Sequence, residues 1–112
     1  MPVLTVRTNN FIAHKDTFLM HASKLLAEEL GKPESYVMVE IYDDASMLFA
    51  GNDEPLCFME LRSLGLAESQ TPELSAKLCQ LIEDELGIHP NRTYIEFVSP
   101  SRKMFGWNGG TF

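Results

Sequence analysis

The hydrophobic positions of this chain recur with two periods, one typical of strands and one typical of helices. Four short runs rich in β-branched and aromatic residues predict strands: residues 2–8, 36–42, 57–61 and 93–98. Residues 15–30 and 71–86 instead carry apolar side chains every three or four positions, which predicts two amphipathic helices. Gly31 and Gly87 follow directly, as expected for the left-handed residue that ends a helix.

The order strand, helix, strand occurs twice. Residues 29–31 and 85–87 both read Glu-Leu-Gly, at an offset of 56 positions. This echo predicts an internal repeat of about 2–43 and 57–98, although helix ends also resemble one another by accident. We therefore expect one domain over residues 1–112 of the α+β class, an α/β two-layer sandwich. Its pseudo-twofold β-α-β-β-α-β chain would place both helices on one face of a four-stranded mixed sheet.

The predicted strand at 36–42 contains one charge and is otherwise apolar on both sides. Two helices cover only one face of a sheet, so the other face needs a partner. This pattern favours closed homo-oligomerisation. Two segments are candidates for pairing with the sheet edge of a neighbouring chain: a short edge strand at residues 47–50, and residues 103–107 of the tail 99–112. The alternative is a monomer whose tail folds back.

Charge and composition narrow the functional classes. Nine Lys and Arg against sixteen Asp and Glu give a net charge of −7, which argues against binding to nucleic acid and to anionic membrane surfaces. No apolar run is long enough for a spanning helix and no signal peptide is apparent, so a cytoplasmic protein is expected. Cys57 and Cys79 are expected to be free thiols, and His14, His21 and His89 lack metal-ligand spacing.

The candidate chemistry begins at the N-terminus. If Met1 is removed, Pro2 becomes a secondary amine that can take up a proton; while Met1 remains, its nitrogen is an amide. The plainer interpretation is that a small second residue permits methionine removal and that proline suits the start of a strand. Lys32 likewise reads as a solvated cation near a helix C-terminus, where positive charge is favourable.

The chain nevertheless resembles the tautomerase superfamily, and within it proteins like macrophage migration inhibitory factor. The resemblance runs nearly the full length and rests on matching motifs: Pro2 after Met1, Thr8-Asn9, Phe18-Leu19, Gly31-Lys32-Pro33 with Tyr36, Met47 with Phe49, Glu54-Pro55, Ser63-Leu64-Gly65, Lys77-Leu78-Cys79, Tyr94-Ile95, Gly106-Trp107-Asn108 and Thr111-Phe112. It implies a homotrimer with inward-facing sheets and an active site at each subunit boundary.

The resemblance also implies roles for particular residues. Pro2 would be the catalytic base, Lys32 would meet the substrate's anion and the Leu64 backbone amide would help to hold it. The remaining pocket residues would be Tyr36, Tyr94 and Glu96 (the last two from the adjacent subunit), Trp107 and Phe112. The implied reaction interconverts keto and enol forms of aryl α-keto acids and requires no cofactor. Burial beside Lys32 would lower the pKa of the amine toward working pH.

Two departures from the family pattern limit these implications. Leu56 and Met59 replace a Cys-x-x-Cys pair, so we predict no thiol oxidoreductase activity. Glu96 replaces a neutral amide and would weaken carboxylate binding, unless it points away or pairs with Arg62 or Arg92. Phenylpyruvate-type substrates are therefore favoured over dopachrome-type ones.

Two other functional classes stay open. The first is a cytokine-like signalling protein that leaves the cell without a signal peptide and binds a protein receptor, with its pocket vestigial. The second is a ferredoxin-like ligand-binding regulatory domain.

Overall fold

Two helices and four main strands alternate along the chain, and the computed structural model describes residues 1–112. The elements are β1 (Val3–Thr8), α1 (Lys15–Leu30), β2 (Met38–Tyr42), β3 (Cys57–Arg62), α2 (Thr71–Leu86) and β4 (Thr93–Val98). Two further strands, β5 (Gly106–Trp107) and β6 (Gly110–Thr111), pair as an antiparallel hairpin in the tail.

The four main strands form one mixed sheet in the order β2-β1-β3-β4. β1 is parallel to β2, and β3 is parallel to β4, as the helical crossovers require. The two halves meet where β1 and β3 run antiparallel, with Val3 opposite Arg62 and Thr8 opposite Cys57. This arrangement confirms the predicted fold class, with two β-α-β units related by a pseudo-twofold axis.

The core lies between the helices and one face of the sheet. Each helix buries three residues spaced four apart, which places them in one row along the helix. These rows pack against alternate residues of the central strands. The fully or nearly fully buried members are Phe18, Ala22, Leu26, Leu74, Leu78, Ile82, Leu4, Val6, Met59 and Leu61. Burial of each large side chain contributes roughly 1.5–3 kcal/mol, so this layer fixes the ends of the strands that carry the site.

The other face of the sheet is mixed rather than apolar. The register aligns Glu40, Thr5, Glu60 and Glu96 in one row across the four strands. Thr5 donates a hydrogen bond to Glu40 (2.7 Å), and Arg62 forms an ion pair with Glu60 (2.7 Å). Large apolar side chains flank this polar row and remain exposed: Met38, Tyr42 and Tyr94. The expectation of a strand apolar on both sides therefore holds only for the two ends of β2.

Two local predictions were wrong. Tyr36 belongs to a 3-10 turn, Glu34–Tyr36, and the strand begins at Met38. Residues 47–50 form no strand: Phe49 and Asn52 exchange backbone hydrogen bonds (3.0 and 3.1 Å) across a tight turn in which Ala50 has φ 53°.

Candidate active site

Lys32 leaves the C-terminus of α1 in a fixed direction. Gly31 adopts the left-handed conformation (φ 62°), and the Lys32 N–H donates to the carbonyl of Ala27 (3.0 Å) in a helix-ending motif. Pro33 then prevents a further helical turn. The half-buried lysine side chain donates from Nζ to the carbonyl of Leu64 (3.0 Å), so its charge lies beside the segment that follows β3.

Leu64 presents an unused hydrogen-bond donor beside that charge. The preceding residue, Ser63, donates its N–H to Val98 (3.0 Å) and thereby holds the end of β3 against the end of β4. Leu64 is buried (8% exposed), and its N–H donates no hydrogen bond within the chain. The charged Nζ of Lys32 and this unpaired N–H are both donors of the kind that bind carboxylates.

These groups line a cleft of about 460 Å³. Its walls are Met1, Lys32, Tyr36, Leu64, Gly65, Arg102 and Phe112. Trp107 supports the aromatic side: its ring lies edge-on to Tyr36 (centroids 5.9 Å apart) and stacks on Phe112 (6.0 Å). The volume falls within the range of pockets for small ligands. The structure thus brings together Lys32, Leu64, Tyr36, Trp107 and Phe112.

The terminal amine opens into the same cleft. In this structure the amine belongs to Met1, which lines the cleft. The Pro2 nitrogen is part of a peptide bond, and the Pro2 ring is buried. Removal of Met1 would move the terminal amine by one residue, to Pro2. Burial lowers the pKa of the Met1 amine from its ordinary 8.0, and the charge of Lys32 and a hydrogen bond with Lys32 lower it further. This environment favours the neutral, proton-accepting form of an amine.

Two predicted residues lie away from the cleft of their own chain. Tyr94 is 64% exposed near the start of β4 and packs on Phe49 (centroids 4.8 Å apart). It lies four residues, about 13 Å along an extended strand, from Val98 at the cleft end. Glu96 is exposed midway along β4 and forms no ion pair, since Arg62 pairs with Glu60 and Arg92 donates to backbone carbonyls.

Arg102 lines the cleft and was missed by sequence reasoning. It begins the 3-10 turn Arg102–Met104 in the tail, just before the hairpin that carries Trp107. The available signal was a pair of cations, Arg102 and Lys103, directly ahead of a run containing aromatic residues in a chain with excess negative charge. Nothing in that pattern shows that the first of the pair faces the cleft.

Two other surface cavities do not contain the terminal amine. One of about 450 Å³ lies between α1 and α2, where His21 Nδ1 lies 2.8 Å from Glu85 and Lys77 pairs with Glu29. Another, of about 740 Å³, is formed by exposed loops around Asn9 and residues 45–48. No three His, Cys, Asp or Glu side chains are grouped so that they could hold a metal ion. None of the helices has the length and hydropathy of a membrane-spanning segment.

The fold and this cleft define a class. Two β-α-β units share one sheet, and a terminal amine, a lysine and a free backbone N–H meet where β1 begins and β3 ends. This is the architecture of the tautomerase superfamily.

Comparison with known proteins identifies the family. The family model for macrophage migration inhibitory factor matches residues 1–112. A migration inhibitory factor homologue from Trichuris trichiura is 43% identical over 114 residues, covering 100% of both chains; one from Brugia malayi is 40% identical over 116 residues, covering 100% of this chain and 99% of its own. The crystal structure of the Prochlorococcus marinus homologue superposes with a TM-score of 0.94 at 40% identity, covering 98% of each chain. The chain belongs to the macrophage migration inhibitory factor family, and membership supports isomerase-type activity in general terms.

Proposed function

We propose that this protein is a tautomerase that interconverts the keto and enol forms of aryl α-keto acids, with the Pro2 amine as general base after removal of Met1. The observation that carries the proposal is the position of the chain's terminal amine in the cleft beside Lys32. This amine belongs to Met1 in the structure, and burial and the charge of Lys32 lower its pKa. A general base works best when its pKa lies near the operating pH, so this shift suits an amine for proton transfer.

The reaction follows from the groups in the cleft. The substrate carboxylate binds Lys32 Nζ and the Leu64 N–H, and its aryl ring packs against Phe112 and Tyr36. The neutral Pro2 amine takes a proton from the carbon next to the keto group, and the electrons of that C–H bond form the enol double bond. The amine then returns the proton to the carbonyl oxygen. Proton transfer by a positioned base contributes on the order of 10²- to 10⁴-fold in rate.

The proposed working unit is a homotrimer. Exposed Met38, Tyr42 and Tyr94 on the free sheet face, together with Leu48 in the following loop, provide apolar surface for neighbouring chains. Tyr94 and Glu96 lie away from their own cleft, so we infer that a neighbouring chain of the trimer brings these residues to a site. The tail 99–112 contributes Phe112 to its own cleft, and its pairing across subunits stays a prediction.

A direct assay tests the proposal. Protein with an N-terminal Pro2, verified by mass spectrometry, should tautomerise phenylpyruvate, as followed by ultraviolet absorbance. The same chain retaining Met1 is the matched control and should be inactive, because its Pro2 nitrogen is an amide. Inactivity of the processed protein from about pH 5 to about pH 9 would rule out the proposed role of Pro2.

The second candidate is a cytokine-like signalling protein that binds a protein receptor and catalyses no reaction. This role requires export from the cell, whereas the proposed enzyme would act in the cytoplasm. Replacing Pro2 with glycine separates the two functions. The variant Pro2→Gly should lose turnover if the protein is an enzyme, and should keep receptor binding if the pocket is vestigial.

A further inference from the structure

The cleft contains a second cation whose charge the proposed reaction does not use. Arg102 lines the cleft together with Lys32, but the two come from different segments: Lys32 follows α1, whereas Arg102 belongs to the tail. Lys32 is half-buried next to the terminal amine, and Arg102 is exposed at the mouth. The backbone around Arg102 is ordered by two hydrogen bonds, from Met104 N–H to Ser101 (2.9 Å) and from Phe105 N–H to Arg102 (3.3 Å).

The guanidinium of Arg102 has no partner in the chain. The other arginines are engaged: Arg62 pairs with Glu60, Arg92 donates to loop carbonyls, and Arg7 lies over the ring of Tyr42 (5.7 Å). Arg102 forms no ion pair, side-chain hydrogen bond or aromatic contact, although the chain has sixteen acidic residues against nine basic ones. A free, always charged fork of donors at a ligand cleft is suited to a carboxylate.

We propose that Arg102 is a specificity residue that binds a second anionic group on the substrate. This inference rests on the proposed function. The reacting carbon must lie at the terminal amine, so the keto-acid carboxylate belongs to Lys32 and the Leu64 N–H beside it. The aryl ring then extends along Phe112 toward the mouth, where Arg102 meets its far end. The substrate class is therefore an aryl α-keto acid that carries a second acidic group on the ring.

The test compares two substrates in the processed protein: phenylpyruvate and 4-carboxyphenylpyruvate. The measured quantity is the ratio of kcat/KM for the dianion to kcat/KM for the monoanion. Arg102→Ala should lower this ratio about 2- to 5-fold, as expected for loss of a solvent-exposed charge pair. Lys103→Ala is the matched control, because it removes the same charge from the neighbouring residue, which does not line the cleft. It should leave the ratio unchanged.

A ratio that Arg102→Ala leaves unchanged would overturn the proposal, whether both rates fall together or neither falls. A binding measurement keeps the inference separate from turnover. Quenching of the single tryptophan, Trp107, reports binding of cinnamate and of 4-carboxycinnamate, neither of which can tautomerise. Tighter binding of the dicarboxylate that disappears in Arg102→Ala supports the proposal even if phenylpyruvate is not turned over. Equal binding of both acids refutes it.

Discussion

Arg92 connects the loop after β2 to the start of β4, and its replacement tests what fixes that loop. Nε donates to the carbonyl of Pro55 (3.1 Å), and Nη1 donates to that of Phe49 (3.2 Å). Nη2 donates to the carbonyls of Asn52 (3.3 Å) and Glu54 (3.0 Å). The guanidinium also lies over the ring of Phe49 at 5.1 Å. One side chain thus holds four carbonyls of a loop that lies outside the four-stranded sheet.

The magnitude follows from these contacts. A typical net hydrogen bond contributes about 0.5–1.5 kcal/mol, and carbonyls in an exposed loop return to water when their donor is lost. Four such bonds in the lower half of that range, about 0.5–1 kcal/mol each, give roughly 2–4 kcal/mol for Arg92→Ala. Lysine keeps the charge but lacks the planar fork, so Arg92→Lys should recover less than half of that loss. The conservative variant therefore separates geometry from charge.

Urea unfolding followed by circular dichroism measures the decrease in the free energy of unfolding. The protein concentration is kept fixed, because assembly would make stability depend on it. Arg62→Lys is the matched control: Arg62 meets one carboxylate, that of Glu60, and its side chain is 52% exposed. A lysine there should cost less than about 1 kcal/mol. If Arg92→Lys unfolds within about 0.5 kcal/mol of the wild type, the four-carbonyl contact does not hold the loop.

Four further predictions concern single groups. Lys32→Gln should raise the pKa of the terminal amine by removing a neighbouring cation, and the acid limb of the kcat/KM profile of the processed protein should move to higher pH; an unshifted limb contradicts this. Ser63→Ala should not destabilise the fold, because the buried Ser63 hydroxyl has no hydrogen-bond partner. Thr8→Val removes two hydrogen bonds and should lower the free energy of unfolding in urea by about 1–3 kcal/mol. Cys57, whose pKa burial raises to about 12, should resist iodoacetamide at neutral pH until the protein is unfolded, as mass spectrometry would show. A hydrogen bond from the Ile12 N–H, and then the contact with Lys15, lower the pKa of Asp43 from its ordinary 3.8. The ionised carboxylate therefore stabilises the fold above pH 3.8, and this stabilisation is lost as the pH falls through the folded pKa. Asp43→Asn should make the thermal unfolding temperature less dependent on pH in the acid range.

The sequence was sufficient for the layout of helices and strands. Apolar periodicity located both helices, and Gly31 and Gly87 end them in the left-handed conformation expected of helix-ending glycines. It was insufficient at residues 47–50, whose composition suits an edge strand as well as a turn. Tertiary contacts determine the conformation of this segment, because Arg92 donates hydrogen bonds to the loop carbonyls. Ala50 also adopts a positive φ, which composition does not reveal.

Only part of the candidate site could be predicted from the sequence. Lys32 and Leu64 are 32 residues apart, and no spacing rule shows that Nζ meets that carbonyl; the resemblance to a family supplied the pair. Tyr36 reached the cleft although its secondary structure was predicted wrongly, because the turn after Pro33 directs it there. Arg102 was missed because the resemblance supplies no role at that position, and exposed arginines are common.

Glu96 links the charge of the cleft to assembly. Within one chain it has no cation partner, since Arg62 and Arg92 are both engaged elsewhere, so neither pairing considered from the sequence neutralises it. In a monomer its carboxylate belongs to the polar row with Glu60 on the free sheet face. In the proposed trimer it would approach a neighbour's cleft, oppose the effect of Lys32 on the amine and repel a carboxylate. In that assembly, Arg102 would supply positive charge that helps an anionic substrate to bind beside Glu96.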